Sequence, residues 1–146
     1  MDVSFGISTW VWTSPFATDS AGLFPKIREM GFQVVEIPVE DPAVIDAEKI
    51  KNALDEHGLK AVVCGGFGPG RDLTQEDPAG QQHCFDYLDS LMDFCIRWNA
   101  GFIAGPMYSA VGKARLVSPD QKKKEWELAV NNLRKVAIKA ADKGLE

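Results

Sequence analysis

The chain has 146 residues, 45% hydrophobic, 25% charged and 10% aromatic. That mixture excludes collagen-like, mucin-like and wholly disordered classes, because enough apolar surface is present to oppose chain entropy. Acidic residues (21) outnumber basic ones (16), giving a formal net charge of −5. With no basic stretch interleaved with aromatics, nucleic acid is not an expected partner.

One domain is expected, since a chain of this size buries a real core without disulfide or metal staples. Cys64, Cys84 and Cys95 are odd in number and fit neither a disulfide framework nor a C-x-x-C site, which points to a reducing cytoplasm. The start, Met1-Asp2-Val3-Ser4-Phe5, has no basic segment leading into a long apolar one, and nowhere do about 18 apolar residues run together. Neither an export signal nor a membrane span is expected.

One phrase recurs four times: Gly31-Phe32, Gly58-Leu59, Gly101-Phe102 and Gly144-Leu145 each follow a helical pattern. Glycine takes the left-handed conformation that ends a helix and the apolar residue behind it packs back on the last turn, so the phrase predicts a helix-to-strand joint. In chain order the expected elements are a strand over Val3–Ile7, a helix carrying Leu23, Ile27 and Met30, and a strand over Gln33–Ile37. A helix capped by Asp46 and carrying Ile50, Leu54 and His57 follows, then a strand over Lys60–Cys64. Next come a helix opened by Asp77-Pro78 with Phe85, Leu88, Leu91, Met92, Cys95 and Ile96, and a strand over Phe102–Ala104. The last helix starts at Ser118-Pro119-Asp120-Gln121, a capping-box pattern, with Trp126, Val130, Leu133, Val136, Ala137 and Ala140 on its apolar face.

The order βαβαβαβα with right-handed crossovers permits a doubly wound sheet or part of a (β/α)8 barrel. A whole barrel takes about 250 residues. Four units therefore make the expected fold an α/β (βα)4 half-barrel of parallel strands with outer helices, residues 1–146, cut just before a fifth strand. Ile7, Ile37, Val62 or Val63, and Ile103 are expected on the face lining the barrel interior, which would lie open in a half and drive self-association into a homo-oligomer.

Ligands of parallel α/β folds sit at the carboxyl ends of strands. The candidates are accordingly the segment Ser8 to Thr13, with Trp10 and Trp12 as flat apolar walls, the glycine-rich loop Cys64 to Asp72, and the loop Ala104 to Gly112 with the Tyr108 hydroxyl. The glycines do not open a helix at once, which argues against a dinucleotide fingerprint. Cys64 lacks a histidine to activate it and reads as a structural thiol. Glu36 lies inside an apolar strand and is read as either an ion pair or a functional carboxylate. His57 and His83 lie away from strand exits, and Lys122 to Lys124 read as a solvated face. No catalytic residue and no metal ligand set is evident in these segments.

The segments Gly6-Ile7-Ser8-Thr9-Trp10-Val11-Trp12, Gly31-Phe32-Gln33-Val34-Val35-Glu36-Ile37, Gly68-Pro69-Gly70-Arg71-Asp72-Leu73-Thr74-Gln75-Glu76-Asp77 and Gly105-Pro106-Met107-Tyr108-Ser109-Ala110-Val111-Gly112 carry a resemblance. In this order they resemble the N-terminal half of the sugar isomerases and epimerases of the xylose-isomerase-like TIM-barrel superfamily, nearest the D-tagatose and D-psicose (allulose) 3-epimerases. The resemblance implies a metal-dependent exchange of the C3 proton of a ketose through an enediolate. It implies no metal or other cofactor on this chain, and manganese, cobalt or magnesium in the full-length fold, with the metal ligands and both acid–base glutamates on strands five to eight. Glu146 would stand too early to be the first of them. The half alone is expected to lack activity.

The resemblance also implies substrate contacts from Ser8, Trp12, Gly66, Pro106 and Tyr108. Ser8 stands where an aromatic is common, and Val111 stands near a position that is tryptophan in some epimerases. Hydroxypyruvate isomerase and inosose dehydratase-like chemistry are the alternative enzymes, and a non-catalytic, self-associating (βα)4 module the alternative of another class.

Overall fold

A computed structural model describes residues 3–68 and 70–145. Met1, Asp2, Pro69 of the glycine-rich loop and Glu146 lie outside the described residues. The strands are β1 (Gly6–Ser8), β2 (Val34–Val39), β3 (Lys60–Gly65) and β4 (Ile103–Ala104), and the helices are α1 (Phe24–Glu29), α2 (Ala47–His57), α3 (Pro78–Trp98) and α4 (Pro119–Asp142). All strand pairs are parallel and the order is β1-β2-β3-β4. Consecutive parallel neighbours joined by crossover helices are the arrangement of successive barrel units.

Helix starts follow the sequence signals. The Asp46 carboxylate accepts from the amides of Glu48 and Lys49, Asp77 from Gly80, and the Ser118 hydroxyl from Gln121. The reciprocal half of the Ser118 capping box does not form, because the Gln121 side chain donates to Glu125 at 2.9 Å instead. The first helix is also shorter than expected. A 3-10 segment, Thr18–Leu23, precedes it, and Met30 is exposed.

Of the four glycine joints, Gly31, Gly58 and Gly144 have positive φ, whereas the third helix ends on Asn99 at φ 55°. Asparagine tolerates the left-handed cap through its short polar side chain, so Gly101 is not the capping residue there.

The expected inward face is also corrected. Ile37 and Val63 are fully buried on the helix side, in one core with Phe24, Ile27, Ile50, Leu88 and Leu91, and Ile7 and Ile103 pack against the same core. With a side-chain period of two, the opposite phase therefore faces the barrel axis. Gly6, Ser8, Val34, Glu36, Val62, Phe102 and Ala104 line an open concavity of about 390 Å³, and Ile7, though packed on the core, also borders it as expected.

The last helix differs in the same sense. Its buried residues are Ala129 and Asn132, while Trp126 is 69% exposed and Leu133 and Ile138 are exposed as well. Its contact with α3 joins Val136, packed on the core, and Lys135 over the Phe85 ring (5.7 Å) to ion pairs, Lys139–Asp89 (2.5 Å), Lys143–Asp93 (2.7 Å) and, from its first turn to the loop before α3, Lys124–Glu76.

Candidate functional site

The carboxyl ends of the four strands bring together the loops that the sequence singles out. Ser8 ends β1, and its hydroxyl accepts from the Trp10 amide at 3.4 Å. Thr9 is fully buried and donates through Oγ1 to the Glu36 carbonyl at 3.4 Å, pinning the turn Thr9–Val11 onto β2. The two tryptophans of this turn are placed differently. Trp12 is half-buried against the core with the Lys26 ammonium 5.5 Å above its ring. Trp10 is 42% exposed and lies over Gly66 at the exit of β3.

An arginine–tyrosine staple, which the sequence reading did not single out, holds the exits of β2 and β3. The Arg71 guanidinium donates to the carbonyls of Gly66 (3.1 Å) and Glu40 (2.8 Å) and stacks on the Tyr87 ring with its carbon 3.8 Å from the centroid. Tyr87 reaches up from α3. Its hydroxyl donates to the Val39 carbonyl at 2.5 Å and accepts the Gly66 amide proton at 3.1 Å. Burial pushes the Tyr87 hydroxyl above its ordinary pKa, while the Gly66 bond and the Arg71 charge act the other way. Glu40 extends the staple to the first loop, accepting from the Ser14 hydroxyl (2.7 Å) and the Phe16 amide (3.2 Å).

The loops after β3 and β4 are clasped. Phe67 N–H donates to Pro106 C=O at 3.3 Å and Val111 N–H to Phe67 C=O at 2.6 Å. The Lys113 ammonium donates to Asp72 (2.7 Å) and Thr74 (2.5 Å). Partial burial raises the Asp72 pKa, but hydrogen bonds from Lys113 and Thr74 outweigh it and hold the carboxyl below the usual range. Pro106 and Tyr108 are exposed on this loop, Tyr108 bordering an open cavity of about 790 Å³ with Lys113, Leu116 and Trp126.

Of the expected substrate residues, Ser8, Gly66 and Pro106 thus stand at strand exits, Trp12 lies beside the first exit with its ring engaged, and Tyr108 stands farther out. Glu36 pairs in register with Ser8 and Val62 and faces the concavity, and no ion pair to it is found among the described residues. Cys64 is buried, with desolvation and then the Glu36 charge pushing its thiol up to about 11, which fits a structural thiol. Among the described residues no three His, Cys, Asp or Glu side chains converge as metal ligands. The groups at the exits are a hydroxyl, an indole and backbone groups with the single carboxylate of Glu36, too few anionic ligands to fit a catalytic divalent ion. What the arrangement offers is a partly apolar binding wall with the Glu36 carboxylate facing the concavity beside it.

Residues 24–146 match the family model described as the xylose isomerase-like TIM barrel. The ketose 3-epimerase of Arthrobacter globiformis is 35% identical over 114 residues, covering 76% of this chain and 39% of that protein. A crystal structure of D-allulose 3-epimerase from Methylomonas sp. superposes with a TM-score of 0.89 at 26% identity, over 99% of this chain and 50% of that one. D-psicose 3-epimerase from Clostridium cellulolyticum H10, solved with D-tagatose, shares the fold with a TM-score of 0.81 at 21% identity, again over half of its length. The chain spans about two fifths to one half of these relatives.

Proposed function

We propose that this chain, which belongs to the xylose isomerase-like TIM barrel family, supplies the N-terminal half of a ketose 3-epimerase. The observation that carries the reading is the open parallel sheet β1-β2-β3-β4 with its exit loops clasped into one wall, superposing on half of an allulose 3-epimerase. Residues 1–146 are read as one half-barrel of four βα units. The free edge of β4 and the apolar stripe of α4 are where the next unit would pack.

The exposed area supports this. The chain exposes 8588 Å², whereas a compact monomer of its mass exposes about 7,400 Å². An excess of about 1,200 Å² is the size of one side of a permanent interface. In the isolated chain the same surface favours a homo-oligomer.

In the complete barrel the chain's own residues bind and orient. Ser8 and Tyr108 offer hydroxyls to sugar oxygens, Gly66 and Pro106 let the carbon chain approach the backbone, and Trp12 backs the first loop. The proton transfers at C3, through an enediolate of the ketose, need two carboxylates and a divalent ion that polarises the substrate oxygens, and those groups belong to the complementary half. Three buried free thiols are compatible with a reducing, cytoplasmic setting.

The test joins this chain to the C-terminal half of the Arthrobacter globiformis ketose 3-epimerase. With manganese present, interconversion of D-fructose and D-allulose, or of D-tagatose and D-sorbose, is expected from the fusion and not from either half alone. A folded, monodisperse fusion that leaves every ketose unchanged would overturn the proposal and favour a non-catalytic module.

A further inference from the structure

We infer that Glu36 is the contact by which this half docks on its complement: its carboxylate takes a cationic side chain, lysine or arginine, carried by the complementary half on the opposite wall of the closed barrel. The inference rests on the half-barrel reading above and names the kind of residue that the axis side of the sheet is built to meet.

The half-buried carboxylates of this chain are matched, with one exception. Asp72 accepts from Lys113 and Thr74, Glu125 from Arg115 and Gln121, Asp89 pairs with Lys139, and Glu40 accepts from the Ser14 hydroxyl and the Phe16 amide. Glu36 is half-buried too, yet among the described residues its carboxylate has neither a hydrogen bond nor an ion pair. In a chain that pairs its other half-buried acids, this one is left for a partner from outside.

Glu36 is held firmly in place. It lies in register with Ser8, at the mouth formed by the strand exits, and with Val62 of β3, and its own carbonyl accepts from the hydroxyl of the fully buried Thr9. Its carboxylate faces the concavity of about 390 Å³, whose other lining side chains are small or apolar apart from the Ser8 hydroxyl. That hydroxyl accepts from the Trp10 amide and makes no bond to Glu36. Lys60 stands opposite Val34, two residues toward the amino ends of the strands, is exposed, and makes no ion pair with Glu36. The face thus presents one negative charge with open space above it and no cation of its own.

Closing the barrel removes the water that an open concavity admits. The inward side chains of an eight-stranded barrel fill its interior, so Glu36 becomes enclosed. An ionised carboxylate enclosed among apolar groups is costly unless it is paired, and this side of the barrel supplies no pair. A long cationic side chain from the facing wall fills the space and matches the charge together. One such pair in an otherwise apolar lining also fixes register, because a shift of the partner strand by one residue would turn the cation away from the axis.

The experiment compares Glu36→Gln in two settings, the chain alone and the fusion to the C-terminal half of the Arthrobacter globiformis ketose 3-epimerase. In the chain alone the substitution should leave Tm within about 3 °C, since no partner is lost. In the fusion it should lower Tm by about 5 °C or more, because a cation inside the barrel loses its counter-charge. Changing each strand lysine and arginine of the second half to methionine in turn should find one whose effect is not additive with that of Glu36→Gln, and Glu36→Lys combined with replacement of that cation by glutamate should regain about half of the lost Tm or more. A larger Tm loss in the chain alone, an unchanged Tm in the fusion, or additivity with every cation would each overturn the inference. So would a fusion that loses ketose affinity but no stability, which would make Glu36 a substrate contact, or one that folds only with Glu36→Gln. Should no fusion fold, the chain serves as its own complement: an equimolar mixture of parent and Glu36→Lys should associate at least about threefold more tightly in sedimentation than either alone, and equal association would count against the inference. A folded fusion that shows the coupling and epimerises nothing keeps this inference and sinks the epimerase reading; one that epimerises without the coupling does the reverse.

Discussion

Tyr87→Phe isolates the worth of the staple under the mouth. Tyr87 is 5% exposed, and the substitution keeps the ring, its edge-on contact with Phe67 at 6.1 Å and the Arg71 stack. Only the hydroxyl is removed, and with it the bond to the Val39 carbonyl and the acceptor of the Gly66 amide. Depriving a part-buried donor of its partner costs about 1–3 kcal/mol, and the second bond adds about 1, so the loss should be about 2–4 kcal/mol. With an unfolding entropy of about 0.3 kcal/mol/K for a chain of this length, that lowers Tm by roughly 7–13 °C. Thermal melts by far-ultraviolet circular dichroism, with urea unfolding at unchanged slope, measure it. The burial that raises the Tyr87 pKa supplies a second signature. The folded state prefers the neutral phenol, so this stability is whole below the unfolded value near pH 10 and is lost as pH climbs through the folded one. Tyr87→Phe should flatten that alkaline limb. A Tm within about 3 °C of the parent, corresponding to less than about 1 kcal/mol, would refute the staple as a source of stability.

Gly105→Ala places a methyl against the Gly65 carbonyl at a φ that only glycine adopts with ease, and should destabilise the chain by at least about 3 kcal/mol in urea unfolding. Because Asp72 titrates below its ordinary value, its contribution is present above the unfolded pKa of about 4 and lost as pH falls through the folded one; Asp72→Asn should remove that acid-side loss in unfolding measured from pH 3 to 7. Burial lifts the thiols of Cys64 and Cys95 to about 11 and about 12, so a disulfide reagent at pH 8 should leave both unmodified in the native chain, and native stability should decline as pH rises from about 9 through those values, less so in Cys95→Ala. Calorimetric titration of the isolated chain with manganese should show no tight stoichiometric site.

The parts of the fold that were legible are those written locally. Asp46, Asp77 and Ser118 announce helix starts because the cap is a bond between residues two or three apart. What the sequence left open depends on neighbours. Val62 and Val63 are equally apolar, and only the helix layer decides that Val63 is core and Val62 faces the axis. The α4 stripe through Trp126 and Leu133 has helical period, but periodicity does not say which partner a stripe meets, and here the face toward α3 is built from Val136 and lysines, with Asn132 bonded to the loop before α3. The same holds at the mouth. Trp10 and Trp12 are chemically alike, and it is Lys26 and the core that occupy one of them. Arg71 and Tyr87 are 16 residues apart across a loop and a helix, a separation at which no short-range pattern signals contact. An arginine amid glycines was the one available hint.

The way α4 is attached has a kinetic consequence. Asn132 donates to the Leu73 carbonyl at 3.1 Å, Ala129 is buried, Val136 packs half-buried on the core with the Lys135 ammonium over the Phe85 ring, and the rest of the fastening to α3 and its loop is a row of lysine–carboxylate pairs near the surface. Surface pairs of this kind hold by tenths of a kcal/mol each and weaken with salt. By contrast α3 is anchored by Tyr87, Leu88, Leu91, Phe94 and Trp98 in the core. The last helix should therefore detach as its own cooperative unit, exchanging its amide protons well ahead of α3 and faster still at high ionic strength, while the sheet beneath the mouth stays closed.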